Sequence, residues 1–172
     1  MLLERETEFE ALYKAHYSHV YHYILRRIGD RDTAQELTAD VFRVVWNRQD
    51  RLEGSAVPWL LGIARNVLGN EYRGRKRRQE LQLRLKDFAL HQAPQQVSGT
   101  SDAVIEALGR LASRHREILI LVFWDNLSTS ELAEFLGCSD GTASVRIHRA
   151  KKAFAKTMPS LQAANLEAKK ED

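Results

Sequence analysis

The chain has 172 residues, of which 44% are hydrophobic and 28% are charged, and its formal net charge is only +3. This composition excludes wholesale disorder, and the length allows one domain or two small ones. The single cysteine, Cys138, excludes an internal disulfide and a zinc site made of cysteines. The acidic start MLLERETEFE lacks the apolar run of a signal peptide, and no run of about 18 apolar residues is present. We therefore expect a cytoplasmic protein without membrane insertion.

The first predicted helix is recognised by apolar and aromatic residues that recur at spacings of three and four. They are Phe9, Leu12, Tyr13, His16, Val20, Tyr23 and Ile24, and Gly29 and Asp30 are predicted to end the helix. His16, His19 and His22 raise the alternative of a metal site. Steps of three residues spread these imidazoles over about 120° of helix surface, which suits at most two of them on one ion. We interpret them as packing or surface residues and expect no metal and no cofactor.

The second predicted helix starts at a capping-box-like pair, Asp32 and Gln35. Its inner face is predicted to carry Leu37, Val41, Val44 and Val45. Its other face is predicted to carry Gln35, Glu36, Asp40 and Phe42, which together form an acidic surface with one projecting apolar residue. The alternative for this surface is an ordinary solvated helix face.

The third predicted helix begins after Gly54, with Pro58 near its first turn. Its packing residues are predicted to be Trp59, Leu60, Ile63, Ala64 and Val67. Because glycine weakens a helix, Gly69 and Gly74 predict a bend or fraying toward its basic end.

That basic end, RGRKRR, extends from Arg73 to Arg78, and Asn66 and Tyr72 precede it on the same element. Aromatic stacking, an amide for base edges and arginines for phosphates suit a contact with single-stranded or unwinding DNA. The alternative is a solubilising surface.

A polar segment, DFALHQAPQQVSGTS, follows at residues 87–101 and lacks helical periodicity. Its Pro94 and Gly99 are typical of a tether, so we expect an all-α protein of two small helical domains joined by a flexible linker. The predicted domains are residues 1–86 and 102–158, and residues 159–172 are predicted to form a flexible tail.

A helix-turn-helix is predicted between Leu127 and Phe154, from LSTSELAEFLGCSDGTASVRIHRAKKAF. Ser128 or Thr129 can cap its first helix, and Gly137 permits the left-handed turn that ends it. Leu132, Ala133 and Leu136 are predicted to form the inner stripe of that helix. Ser139 or Asp140 can cap the second helix.

The second helix of this motif has one apolar and one basic face. At about 100° per residue, Ala143, Ile147, Ala150 and Phe154 share the inner face. Val145, His148, Arg149 and Lys152 lie opposite, flanked by Arg146 and Lys151. Such a helix docks on protein with one face and presents donors to a DNA groove with the other. The alternative is an ordinary surface helix hairpin with solvated lysines.

The order of these segments resembles that of bacterial RNA polymerase sigma factors, across nearly all of residues 5–157. It is similar to the compact extracytoplasmic-function group of the sigma-70 family, which keeps only the second and fourth sigma regions. The segment DTAQELTADVFRVVW resembles the helix that binds the clamp coiled coil of core polymerase. The segment from WLLGIARN through RGRKRR resembles the part that melts and reads the −10 element, and GTASVRIHRAKKAF resembles the −35 recognition helix.

The resemblance implies three sets of site residues and no catalytic residue. The polymerase-binding set is Gln35, Glu36, Leu37, Asp40, Val41 and Phe42. The −10 set is Asn66, Tyr72, Arg73, Arg75, Lys76, Arg77 and Arg78. The −35 set is Ser139, Thr142, Ser144, Val145, Arg146, His148, Arg149 and Lys152. The implied partners are core polymerase (its clamp coiled coil and flap), promoter DNA and an anti-sigma factor.

Two other classes of function compete with this interpretation. A stand-alone helix-turn-helix regulator would explain residues 102–156 but would leave the first domain without a role. An enzyme is suggested only by Gly137 to Gly141, which matches G-x-S-x-G around Ser139. A nucleophile elbow needs a preceding strand, and a helix is predicted there.

Overall fold

The computed structural model describes residues 2–48, 54–85 and 102–158, and of residues 80–85 and 102 it describes only the backbone. These residues form helices and no strand. The helices are α1 (Leu2–Ile28), α2 (Arg31–Asn47), α3 (Ala56–Leu85), α4 (Asp102–Arg110), α5 (Ser113–Phe123), α6 (Thr129–Leu136) and α7 (Asp140–Thr157). The chain divides into two compact units, Met1–Gln95 and Gln96–Asp172. The predicted linker, residues 87–101, and the predicted tail, residues 159–172, lie outside the described residues.

In the first unit α1, α2 and α3 pack against one another. The residues whose side chains form this core are Val20, Tyr23, Ile24, Ala34, Leu37, Val41, Phe42, Val45, Leu60, Leu61, Ile63, Ala64 and Leu68. The helical spacing had identified most of them, but Ala34, Leu61 and Leu68 were not predicted, and Phe42 was predicted to be exposed. Among the residues of α2 and α3 that were predicted to pack, Val44, Trp59 and Val67 are only half-buried.

Asp30, and not Asp32, caps α2. Gly29 has a φ of +73°, which reverses the chain after α1, and Asp30 follows in an extended conformation. Its carboxylate accepts a hydrogen bond of 2.8 Å from the backbone N–H of Thr33. Asp32 therefore lies in the first turn of α2, and the predicted pairing of Asp32 with Gln35 is wrong.

Phe42 is buried, with only 2% of its surface exposed. Its ring lies 4.8 Å from that of Tyr13 and 6.3 Å from that of Phe9, both in edge-to-face geometry, and 6.2 Å from that of Tyr17. The prediction of an apolar residue projecting from the acidic face is therefore wrong. The aromatic side of α1 covers this residue instead.

The third helix continues without a break through Gly69 and Gly74 to Leu85, so the predicted bend or fraying is not observed. Each glycine costs a helix about 1 kcal/mol relative to alanine. Contacts with α1 and α2 and an ion pair between Glu71 and Arg75, one turn apart, offset this cost.

In the second unit α7 packs against α4, α5 and α6. The turn between α4 and α5 is held by Arg116, whose guanidinium donates to the carbonyl oxygens of Leu108 at 2.9 Å and Leu111 at 3.0 Å. Two fully buried alanines, Ala143 and Ala150, form the centre of the inner face of α7. Their small side chains permit close approach of the helices, while Ile147 and Phe154 are half-buried at the margins of this face.

The helix-turn-helix has the local geometry that its sequence predicts. Ser128 accepts a bond of 3.1 Å from the N–H of Glu131, whose carboxylate accepts one of 2.9 Å from the N–H of Ser128. Gly137 ends α6 with a φ of +64°. Phe135 is buried and Leu136 only half-buried, so the predicted inner stripe is shifted by one residue at its end.

Candidate nucleic-acid interface

The outer face of α7 carries exposed side chains that, apart from Val145, are polar or basic. All residues of the predicted −35 set are exposed: Ser139, Thr142, Ser144, Val145, Arg146, His148, Arg149 and Lys152. Because buried alanines hold the opposite face against the protein, this outer face is free to enter a groove without unfolding the domain.

Two hydroxyl groups position the start of α7. Ser139 caps it by accepting a hydrogen bond of 3.2 Å from the N–H of Thr142. Ser130, on α6, donates a bond of 2.8 Å to the carboxylate of Asp140. The hydroxyl of Ser139 is therefore occupied as a cap, and α6 rather than a strand precedes it. This geometry offers no nucleophile elbow.

The flank of α7 also contacts α5. The ammonium group of Lys151 lies 5.5 Å from the ring centre of Phe123, a cation–π distance. This contact holds the Lys151 side chain against α5. The two arginines of the outer face, Arg146 and Arg149, are exposed.

In the basic part of α3, some side chains face solvent and others contact α1 or α2. Arg73, Lys76, Arg77, Arg78 and Asn66 are exposed. At about 100° per residue, Asn66, Arg73 and Arg77 share one face of the helix, whereas Tyr72 and Lys76 lie roughly 100° from it. The structure thus does not place Asn66 and Tyr72 on the same face.

Tyr72 and Arg75 make contacts that the sequence did not predict. The hydroxyl of Tyr72, a residue that is 46% exposed, donates a bond of 2.7 Å to the carbonyl oxygen of Arg27 at the end of α1. Arg75 is half-buried and donates to the hydroxyl of Thr33 on α2 at 3.3 Å. Both residues hold α3 against α1 and α2, in addition to any contact with DNA.

Glu71 is the acidic partner within the basic stretch. Its Oε1 accepts hydrogen bonds from Nε of Arg75 at 2.8 Å and from Nη2 of Arg78 at 3.2 Å. Sequence reasoning missed this residue, although its spacing of four to Arg75 is the signal of a helical ion pair. Glu71 lowers the positive charge that α3 offers to an anion.

The acidic face of α2 is smaller than predicted. Gln35 and Glu36 are exposed, and Asp40 is half-buried beside Arg43, with which it forms an ion pair. Three other members of the predicted polymerase-binding set are buried in the core: Leu37, Val41 and Phe42. The burial of Leu37 and Val41 agrees with the inner face predicted for α2, whereas the exposed position predicted for Phe42 is wrong. All three side chains support the exposed side of α2 from beneath.

The histidines of α1 have different environments. His22 is exposed, and its Nδ1 lies 2.7 Å from the carbonyl oxygen of Ser18. His16 and His19 are half-buried and lie beside Val20 of α1 and Val57, Leu60 and Leu61 of α3. Within residues 2–48, 54–85 and 102–158, no three His, Cys, Asp or Glu side chains are grouped to hold a metal ion. In the same ranges no helix has the length and apolarity needed to cross a bilayer.

Comparisons with known proteins cover both units. Residues 12–78 match the family model for sigma-70 region 2, and residues 101–154 match the model for sigma-70, region 4. The ECF RNA polymerase sigma factor SigF of Caulobacter vibrioides is 34% identical over 144 residues, covering 79% of this chain and 77% of its own. SigL of Mycobacterium tuberculosis, also an ECF RNA polymerase sigma factor, is 27% identical over 157 residues, covering 88% of this chain and 89% of its own.

A solved structure shows the same fold. The sigma factor RpoE of Bartonella quintana, determined in complex with the anti-sigma factor NepR, superposes with a TM-score of 0.61 at 23% identity. The match covers 87% of this chain and 96% of that one. Because the relatives match across both units, a stand-alone helix-turn-helix regulator, which explains only the second unit, is not favoured. The chain belongs to the extracytoplasmic-function group of the sigma-70 family and is an RNA polymerase sigma factor.

Proposed function

We propose that this sigma factor directs core polymerase to promoters through two DNA contacts, one on α7 at the −35 element and one on α3 at the −10 element. The observation that carries the proposal is the two-faced α7. Ala143 and Ala150 are fully buried, while Arg146, His148 and Arg149 are exposed on the outer side. A helix held in this way presents its donors to the major groove.

The −10 contact rests on the exposed side chains of α3. Asn66, Arg73 and Arg77 share a face, which supplies an amide for base edges and guanidinium groups for phosphates. Tyr72 is half-exposed and tied by its hydroxyl to α1, so its ring is held at a constant angle at the edge of this surface. We assign Arg75 mainly to holding α3 in place, because it is bound to Glu71 and Thr33.

We propose that the exposed part of α2 docks on the clamp coiled coil of core polymerase. Gln35, Glu36 and Asp40 supply acceptors on one side of the helix, and the buried Leu37, Val41 and Phe42 set the position of that side. The second unit is proposed to contact the polymerase flap. Core polymerase, by binding both units, holds them on one promoter. We therefore expect the isolated protein to bind promoter DNA weakly.

An anti-sigma factor is the proposed antagonist. The similar fold of RpoE was solved with the anti-sigma factor NepR, and this chain offers the same two kinds of unit to such a partner. A partner that covers the acidic face of α2 and the basic face of α7 would block polymerase and DNA together. Expression of candidate proteins encoded beside the gene, followed by co-purification with this chain, tests the proposal.

Run-off transcription with purified bacterial core polymerase tests the main proposal. The templates are genomic fragments, including the promoter of the gene for this protein, and core polymerase without this chain is the control. We expect transcripts with defined start sites only when the chain is present. Absence of such transcripts, together with tight binding to a palindromic site without polymerase, would contradict the proposal.

A further inference from the structure

Val145 is the apolar exception on the outer face of α7. It is 48% exposed, although the adjacent positions on this face are polar or basic: Thr142, Ser144, Arg146, His148 and Arg149. Single exposed apolar residues are common on protein surfaces and need no explanation by themselves. This one lies within the first two turns of α7, where a recognition helix reads base edges.

The turn before Val145 contains a glycine. One turn earlier stands Gly141, and a Cβ atom added there would meet only Oγ of Ser139, at 4.0 Å. Helical side chains lean toward the N-terminus, so the methyl groups of Val145 lie over this bare turn. The branched side chain is also restricted to few rotamers, so ordering it against a ligand costs little entropy. Val145 is thus an exposed apolar side chain of restricted conformation between the polar side chains of α7.

The major groove offers this side chain one apolar group. Among the four bases only thymine presents a methyl group there, at C5, whereas the other base edges present hydrogen-bond donors and acceptors. An aliphatic side chain gains nothing from those polar edges and leaves them without a partner. The chemistry of Val145 therefore matches thymine and disfavours the other bases.

We propose that Val145 determines specificity at one position of the −35 element by packing against the 5-methyl group of a thymine, above Gly141. The proposal rests on the proposed role of α7 in reading the −35 element and specifies what one of its residues recognises. It assigns to Val145 a contact that no hydrogen bond of the neighbouring arginines can replace.

Replacement of thymine by deoxyuridine tests the contact, since it removes only the methyl group and leaves base pairing intact. The duplex is selected by the holoenzyme from a pool that is randomised across the −35 region, and each thymine is then replaced in turn. We expect one position at which the replacement weakens holoenzyme binding about fourfold, the value for one buried methyl group.

Variants connect that position to Val145. In V145S, binding to the thymine duplex is weaker and the deoxyuridine replacement has no further effect. V145T keeps the branched shape and one methyl group, so a reduced sensitivity is expected. A155S, at an exposed position on the same helix, is the matched control and keeps the full sensitivity. Circular dichroism checks that each variant is helical.

Two outcomes would overturn the proposal, and they differ in what they say of α7. If the holoenzyme selects an upstream sequence but no thymine is sensitive, or V145S keeps the sensitivity, the thymine contact is wrong and the −35 role stands. If no upstream sequence is selected at all, the −35 role of α7 fails and the contact with it.

Discussion

Asp30 stabilises the start of α2 as a charged group. The hydroxyl of Thr33 and then its backbone N–H donate to the carboxylate, and Arg75 adds a favourable charge. These contacts hold the pKa of Asp30 below its ordinary value of 3.8. This cap lies where α1, α2 and the basic part of α3 meet. The charge of Asp30 therefore acts on Arg75, at the edge of the proposed −10 surface.

We predict that the stability of the first unit falls in acid through this residue. A carboxyl group whose pKa is lower in the folded state contributes stability above its unfolded pKa and loses it as the pH falls through the folded value. Asp30→Asn keeps an acceptor for the cap and removes the charge. Thermal unfolding should show the wild type more stable at neutral pH, with the difference shrinking as the pH falls below the ordinary pKa of 3.8. A difference that is independent of pH would contradict this role of the charge.

Arg149 is predicted to read a base rather than only a phosphate. It is exposed on the face of α7 opposite the buried alanines, where bidentate bonds to guanine are possible. Arg149→Ala should weaken promoter binding by about 1–3 kcal/mol and relax the preference at one −35 position. Competition binding against single-base variants of the promoter measures both effects. The matched control is Arg114→Ala, which removes one exposed charge from α5. Uniform weakening across all variants would indicate a phosphate contact.

At the scale of elements, Glu71 is predicted to weaken DNA binding by α3. Glu71 forms ion pairs with Arg75 and Arg78. If these arginines bind DNA phosphates, each must share its hydrogen-bond donors between Glu71 and the phosphate or leave Glu71. Glu71→Gln should therefore raise holoenzyme affinity for a promoter with a single-stranded −10 region and steepen its dependence on salt. The loss of a partly exposed ion pair should lower stability by less than about 1 kcal/mol.

Fluorescence anisotropy at several salt concentrations measures this effect. Glu106→Gln is the control, because Glu106 forms a comparable one-turn pair with Arg110 on α4, in the other unit. Unchanged or weaker binding by Glu71→Gln would show that α3 does not face DNA at these arginines.

The exposed side of α2 is predicted to bind polymerase through charge. Asp40→Lys should weaken binding to core polymerase and leave the helical content unchanged, since Asp40 is not in the core. Glu10→Lys is the control: it reverses the charge of an exposed acid on α1, which forms an ion pair with Lys14 one turn away, as Asp40 does with Arg43. Co-purification with core polymerase distinguishes the two variants. Equal retention of both would remove α2 from the docking surface.

At the scale of the whole molecule, the two units are predicted to fold separately. Their helices pack within Met1–Gln95 and within Gln96–Asp172. The sequence of residues 87–101, which lie outside the described residues, predicts that a protease cuts the free protein first in this segment. Limited proteolysis followed by mass spectrometry should yield two resistant fragments, each with its own thermal transition. One cooperative transition, with resistance in this segment, would contradict the two-domain organisation.

Local signals of the sequence identified the helix-turn-helix and its turn. The pair of Ser128 and Glu131, the left-handed Gly137 and the cap at Ser139 all form contacts within a few residues of the chain. Such contacts depend on residue type and spacing alone, so the pattern predicts them. The basic outer face of α7 followed from helical periodicity in the same way.

Tertiary structure decided the rest of the sites. Periodicity gives the angle of a side chain around its helix, but a neighbouring helix decides which angles are covered. The aromatic side of α1 buries Phe42, and Thr33 on α2 holds Arg75, so both differ from their predicted surface roles. Asp30 became the cap because Gly29 turns the chain, so that α2 starts two residues earlier than the pair Asp32 and Gln35 indicated. Contacts between residues distant in sequence leave no local pattern, and only the packed helices reveal them.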